Sequence, residues 1–434
     1  MRLEEIIEQQ IRVERTARFA GLNLPDEFVA PNYGGRSIVN ISSSIVRILG
    51  GSLPTPPLDS EIIDGLAANV HRIVLVIVDA LGYRRLLDAL DSNPQNGFHA
   101  LLHAGARLVP LTSTFPSTTT AALTALWSGY TPAAHGMVGY QLFLREYGAR
   151  SDMISFNPVA TRELGKEQLV HAGLEPDKFL AVPSLPQTLE PLGIPVYHFI
   201  EQPFVKSVLS RVQVRGMRET FGFVTSSDLW VTLRAQIEKH RAERALFVAY
   251  WSAIDNIEHT YGPSSDTVLA EINNLAYSFE REFLSRLSPA GRAGTLFLLT
   301  ADHGQIDSPA PRAVYVHDHP ALRDHLVMDF TGEPRAAYFY CRNGELDAAR
   351  EYIASRLGDK FFVVDSQRAW QAGLFGTTNS APEVKHRIGD LIALPRADYY
   401  FWDRTDEPRM LGRHGGLAEQ EMLVPFIAAR LDDD

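Results

Sequence analysis

Residues 295–304 read TLFLLTADHG: a run with strand character that stops on Ala301-Asp302-His303-Gly304. An unbroken apolar run of this length suits a strand covered on both faces, as in parallel sheets. Adjacent Asp and His side chains at its end can both reach one divalent cation, and Gly304 permits a tight turn beside them. A buried strand that ends on such a pair calls for a partner. That points to a metal more than to a self-satisfied structural pair.

Outward from this stretch, similar runs alternate with helix-like segments. Strand-like 73–78 precedes helix-like 86–90, and 108–111 precedes 119–128. Helix-like 228–241 leads into strand-like 245–250, and 268–287 leads into 295–299. This alternation predicts an α/β fold, a mostly parallel central sheet sandwiched by helices. Residues 326–396 differ, with strand-like 335–341, helix-like 346–357 and strand-like 361–365. They read as a small inserted α+β lobe, after which sheet-like character returns at 389–394 and 422–429. The expected division is an N-terminal helix and wrapping segment over 1–60, a catalytic core over 61–325 and 397–434, and the inserted lobe over 326–396. Within the first part, residues 32–57 are rich in Gly, Ser and Pro and are expected to wrap the surface.

Composition narrows the function. The chain has 434 residues, 41 basic and 52 acidic, for a net charge of −11. That balance disfavours a binder of nucleic-acid polymers or anionic membranes. The single cysteine, Cys341, excludes an intramolecular disulfide and any Cys-rich zinc module. A metal would have to be held by His and carboxylates. Residues 1–21 look like a charged amphipathic helix and lack the apolar core of a secretory signal. The apolar stretch 73–78 is far too short to span a bilayer, so a cytoplasmic location is expected. Oligomeric state is not written in these features.

Four clusters could share one site. Asp79 follows strand-like 73–78, where ligands of open parallel sheets collect; alone it reads equally as a turn or helix cap. Asp255 and His259 stand four apart beyond 245–250, on one face if the segment is helical. Asp302 and His303 form the third cluster. His414 lies between Arg413 and two glycines, which permit close backbone approach to a ligand or a flexible loop. Three Asp and three His suit two zinc ions with open positions for substrate. Glu258 looks less needed, and His317 and His319 in VHDHP read as a polar turn.

The run LTSTFPSTTTAALTALWSGYTPAAHG, residues 111–136, adds a hydroxyl. Pro116 and Ser117 are helix-start residues and Gly129 a helix stop. Threonines at a helix N-terminus sit where N–H groups and the dipole favour an anion, though simple capping explains them too.

In order, the clusters VDALG, FPSTT…SG…HG, Asp-x-x-x-His, ADHG and HGG resemble the alkaline phosphatase superfamily over roughly residues 70–430. The likeness is greatest to its type I phosphodiesterase/nucleotide pyrophosphatase branch, in its bacterial soluble form. The resemblance implies one zinc held by Asp79, Asp302 and His303 with the nucleophile hydroxyl, and another held by Asp255, His259 and His414. It sets the nucleophile ten residues before Gly129, at Thr119. It implies a phosphodiesterase that works through a zinc-activated Thr119 and a phospho-threonine intermediate on a small phosphate ester, with nucleotides among the candidates. A phosphomonoesterase of the same superfamily is the alternative, and a non-catalytic phosphate-binding homologue a more distant one. A sulfatase needs a formylglycine precursor followed by Pro-x-Arg, which Cys341 lacks. One departure stands out. The family's Asn, five residues after the His of its His-Gly pair, is Tyr140 here, a phenol that could bind the phosphate in its place.

Overall fold

The computed structural model describes residues 2–376 and 380–432. The apolar runs form the strands they predict. We label them β1 (Arg72–Val78), β2 (Arg107–Thr112), β3 (Val196–Glu201), β4 (Glu219–Phe223), β5 (Ala245–Trp251), β6 (Thr295–Thr300) and β7 (Leu423–Arg430). They build one sheet in the order β2–β7–β6–β1–β5–β3–β4. Pairings among β1, β3, β4, β5 and β6 are all parallel, while β7 runs antiparallel between β2 and β6. Every residue of β1, β5 and β6 is buried, as in a sheet covered on both faces. This is the expected α/β core.

Register sets up the site. Ile77 of β1 lies beside Thr300 of β6, and Val78 beside Trp251 of β5. Three neighbouring parallel strands therefore end level. The residues that come after them meet at one edge of the sheet, the usual ligand position in open α/β sheets.

Four helices carry labels here: α1 (Leu3–Arg18), α2 (Ile38–Ile48), α3 (Thr119–Ser128) and α4 (Ala253–Tyr261). The first is the expected N-terminal helix. The expectation that 32–57 wraps the surface is corrected by α2. Ile38, Val39, Ile41, Ile45 and Val46 bury at helical spacing. Between them small serines let α2 lie against α3. Ser42 donates to the Leu126 carbonyl, and Ser44 accepts from the Leu58 N–H at 2.8 Å. Ser42 and Ser44 mark close helix packing with satisfied hydroxyls, not a loop.

The lobe is a second sheet of seven antiparallel strands. The expected insertion, 326–396, supplies four of them: Thr331–Glu333, Ala336–Phe339, Phe361–Asp365 and Leu391–Pro395. The other three come from Gln141–Leu144, Ala149–Asp152 and Asn157–Pro158, a stretch that lies soon after α3 in the chain. Gly332 pairs with Gln141 and joins the two contributions. The helix over 346–357 forms as predicted, at Leu346–Leu357. Among the described residues no helix is long and apolar enough to cross a membrane.

Candidate metal centre and active site

The three level strands deliver the carboxylates. Asp79 follows β1 directly, Asp302 lies just past β6, and Asp255 lies in the first turn of α4 after β5. Asp79, Asp302 and His303 form one group, and Asp255, His259 and His414 another. Within each, ligand atoms lie within 4.8 Å of one another. His303 Nε2 is 3.5 Å from Asp79 Oδ1 and 3.6 Å from Asp302 Oδ2. His259 Nε2 is 3.3 Å, and His414 Nε2 3.9 Å, from Asp255 Oδ1. The groups adjoin: the His303 and His414 rings stack with centroids 3.9 Å apart.

Main-chain carbonyls orient all three imidazoles. His259 Nδ1 meets the Gly412 carbonyl at 2.8 Å, His414 Nδ1 that of Ser117 at 3.1 Å, and His303 Nδ1 that of Gly304 at 3.2 Å. A carbonyl only accepts, so each Nδ1 carries the proton and each Nε2 turns a lone pair inward. Burial, then the neighbouring His303 and His259, hold the His414 imidazole well below its usual range, hence neutral. Burial, then Asp302 and Asp255, push the Asp79 carboxyl well above its usual range, although Tyr250 donates a hydrogen bond to Asp79 Oδ2. Asp79 Oδ1 and Asp302 Oδ2 are buried without a hydrogen-bond partner among the described residues. Crowded buried carboxylates with unpaired oxygens, faced by inward imidazole lone pairs, fit divalent cations bound through nitrogen and oxygen.

The backbone yields to this arrangement. Ala80 takes a left-handed φ of 63°, at a cost of about 1–3 kcal/mol, and its N–H donates to Asp302 Oδ1 at 3.2 Å. Gly304 is needed for closeness, not for the turn the sequence suggested. A Cβ there would lie 2.1 Å from the Gln420 carbonyl oxygen and 2.9 Å from Gly82 Cα.

At the hydroxyl run, α3 begins at Thr119 with Thr118 as N-cap, two residues later than Pro116 and Ser117 suggested. The three threonines part company. Thr118 donates to the buried Glu333, and Thr120 to the Gly139 carbonyl at 2.9 Å. Thr119 alone meets the metal-ligand groups, with Oγ1 3.1 Å from His303 Nε2. Ser117 is engaged elsewhere: its hydroxyl donates to the Gly416 carbonyl at 2.9 Å and accepts from the Gly415 N–H at 3.2 Å. The hydroxyl loop is thereby stitched to the loop that carries His414. That second loop is clasped from its other side by Glu421, which accepts from the Gly416 and Ala418 N–H groups and pairs with Arg335.

Tyr140 stands apart from both groups. Its phenol donates to the Asp152 carboxylate, and with Asp152, Ser155 and Asn157 it lines a groove separate from the cavity at Thr119. In this structure the hydroxyl expected to meet a phosphate is held by Asp152. Glu258 is buried in α4 but belongs to neither group. His317 is half-exposed, and His319 bonds to the Tyr352 hydroxyl at 3.0 Å.

Two contributors escaped the sequence reading. Tyr250 supports Asp79 from the end of β5, and Gln305 Nε2 donates to Asp255 Oδ1 at 2.6 Å. Gln305 had a signal, as the residue directly after ADHG. Tyr250 had a faint one, a phenol inside the buried run ALFVAYW. A cavity of about 290 Å³ opens at Thr119, Asp79 and Asp255.

Known proteins share this architecture. The family model for type I phosphodiesterase/nucleotide pyrophosphatase matches residues 73–417. No curated protein matches the chain by sequence. Among solved structures, human ectonucleotide pyrophosphatase/phosphodiesterase 5 is similar with a TM-score of 0.61 and 18% identity, over 82% of this chain and 87% of that one. An inactive threonine-to-alanine form of the murine protein, in complex with AMP, gives 0.59 and 16% over 82% and 87%. Phosphonoacetate hydrolase from Sinorhizobium meliloti 1021, in complex with phosphonoformate, gives 0.57 and 20% over 82% and 89%. At these identities the likeness speaks to the fold.

Proposed function

The chain belongs to the type I phosphodiesterase/nucleotide pyrophosphatase family and is a phosphoric ester hydrolase; from that premise we propose that it cleaves phosphodiesters with Thr119 as nucleophile and two divalent cations, zinc by ligand chemistry. The observation that carries this reading is the Thr119 hydroxyl. It opens a ten-residue helix and meets His303 Nε2 beside Asp79 and Asp302, with the second Asp/His group adjoining. The murine relative's inactive threonine-to-alanine form supports a threonine at the chemistry.

In this reading Asp79, Asp302 and His303 hold one cation, and Asp255, His259 and His414 the other. When bound, such a pair supplies positive charge at the attacking and leaving oxygens. The N–H groups in the first turn of α3 lack intrahelical acceptors, so they and the helix dipole receive the phosphoryl oxygens. Thr119 Oγ bonds to phosphorus, the bond to the leaving alcohol oxygen breaks, and a phospho-threonine results. The Thr119 proton is released and the leaving oxygen takes one from water. A water oxygen then bonds to phosphorus, the Oγ–P bond breaks, and the hydroxyl is restored. Tyr140, bonded to Asp152, has no part in this scheme.

The test is hydrolysis of bis-p-nitrophenyl phosphate against p-nitrophenyl phosphate by zinc-loaded protein. The diester should turn over faster, chelation should abolish activity, and Thr119→Ala should lose at least about 10³-fold in kcat, as loss of a nucleophile does elsewhere. Faster monoester turnover would favour a phosphomonoesterase. Full activity in Thr119→Ala would refute the nucleophile assignment.

A further inference from the structure

Away from Asp79 and Asp255, most of the surface of the cavity at Thr119 is apolar. Leu123 and Trp127 come from α3, Ile200 from β3, and Phe204, Leu209 and Val214 from the segment after it. Among the described residues no Lys or Arg lines it. Ile154 and Phe204, 46% and 38% exposed, flank it with apolar side chains that solvent still reaches. Set into the wall is His198, 2% exposed and edge-on to the Trp127 ring at 4.9 Å. Neither of its ring nitrogens has a hydrogen-bond partner among the described residues. Burial pushes this imidazole down to about 3, so it offers one donor and one acceptor and no charge. An unpaired buried imidazole is costly to a fold, and a ligand group that meets it removes the cost.

Building on the diesterase reading above, we infer that this cavity receives an apolar alcohol of the substrate: an uncharged aryl or medium-length alkyl group esterified to the phosphate, with at most one hydrogen-bonding function to meet His198. A nucleoside suits it poorly. Ribose hydroxyls and base edges bring many donors and acceptors, whereas several of the wall's other polar side chains already spend their donors within the protein. Ser207 donates to Ser210, Ser210 to the Phe204 carbonyl, Ser252 to Glu201 and Gln213 to Thr124. Most of a nucleoside's polar groups would enter unpaired. A second phosphate lodged there would find no cationic side chain among the described residues that line it.

The test reads binding apart from turnover. Methyl, butyl and octyl phosphonate and AMP are titrated calorimetrically into zinc-loaded protein. Each buried methylene strengthens binding about fourfold. Butyl phosphonate should therefore bind on the order of fiftyfold tighter than methyl phosphonate, and octyl phosphonate tighter than AMP. Ile154→Glu and Phe204→Ala, both at partly exposed positions where folding is not at stake, should each lower the octyl-to-methyl ratio about tenfold. His198→Phe should tighten octyl phosphonate and weaken its ω-hydroxy analogue. Butyl phosphonate binding no tighter than methyl, or AMP binding tighter than octyl, overturns the inference. Chain-length-dependent binding without any diester hydrolysis upholds the cavity assignment and overturns the diesterase reading instead.

Discussion

Replacing Arg335 with Met attacks the clasp on the His414 loop from outside the metal-ligand groups. Arg335 and Glu421 are both fully buried. The guanidinium gives Nε to Glu421 Oε1 at 2.7 Å and Nη2 to Oε2 at 2.9 Å, and also bonds the Tyr399 and Ala397 carbonyls at 2.6 and 2.9 Å. The carboxylate in turn accepts the Gly416 N–H at 2.9 Å and the Ala418 N–H at 3.1 Å. Arg335→Met therefore leaves a buried carboxylate with two backbone donors and no countercharge, which costs about 3–5 kcal/mol. Unfolding entropy of about 2.1 cal/mol/K per residue gives about 0.9 kcal/mol/K for this chain as one cooperative unit, so Tm should fall by roughly 3–6 °C. The double variant Arg335→Met/Glu421→Leu should recover part of that loss. It removes the stranded charge but leaves two N–H groups unpaired, at about 1–3 kcal/mol each. Because Gly416 lies two residues after His414, zinc titration of Arg335→Met should show one site weakened about 10–100-fold, the scale of lost ligand support. The measurements are calorimetric unfolding and zinc isotherms. A Tm within about 1 °C of wild type, with both zinc affinities unchanged, would show that the clasp neither stabilises the fold nor positions His414.

Tyr250→Phe removes the donor on Asp79 Oδ2 and should weaken zinc binding about 10–100-fold with little change in Tm, read by competition with a chelating dye. Gly304→Ala forces a Cβ against the Gln420 carbonyl and should cost about 1–3 kcal/mol in urea unfolding, with diester turnover reduced because Asp302 and His303 shift with it. Glu333 supplies a pH dependence. Burial pushes its carboxyl up to about 8 from an ordinary 4.5, so between those values the folded state binds a proton that the unfolded chain has released. Its contribution is fully present below pH 4.5 and is lost as pH rises through 8. Glu333→Gln should flatten the fall in urea midpoint between pH 5 and pH 8, within about half a unit at each end; an unchanged slope would mean that another group sets it.

The central sheet was legible because β1, β5 and β6 are continuous apolar runs, and such runs have few other homes in a soluble chain. The two Asp/His groups that come together in space were legible as a set, since each member follows one of those runs or sits beside glycines. α2 was misread because Ser and Gly signal loops in isolation, whereas Ser42 and Ser44 are small enough to bury and find partners only once α3 is against them. The strands at 141–158 are two to four residues long, too short for a period to show; they pair with one another, and Gly332, far along the chain, ties them to the rest of the sheet at Gln141. Tyr250, His198 and the Arg335–Glu421 pair belong to the same class: their meaning lies in what they face, which no local pattern records.

The position of β7 has a consequence for how the molecule comes into being. The last strand of the sheet to be synthesised is wedged between β2 and β6, and the loop that brings His414 comes just before it. Before residues 423–430 leave the ribosome, β2 lacks its neighbour in the sheet and β6 shows an unpaired apolar edge, the kind of surface that chaperones cover and that other chains can join. All six Asp and His side chains are by then already made, but the sheet that levels the strands beneath them is incomplete. Competence for chemistry thus waits on β7, and a chain cut before residue 423 would be a sticky, inert intermediate rather than a weaker enzyme.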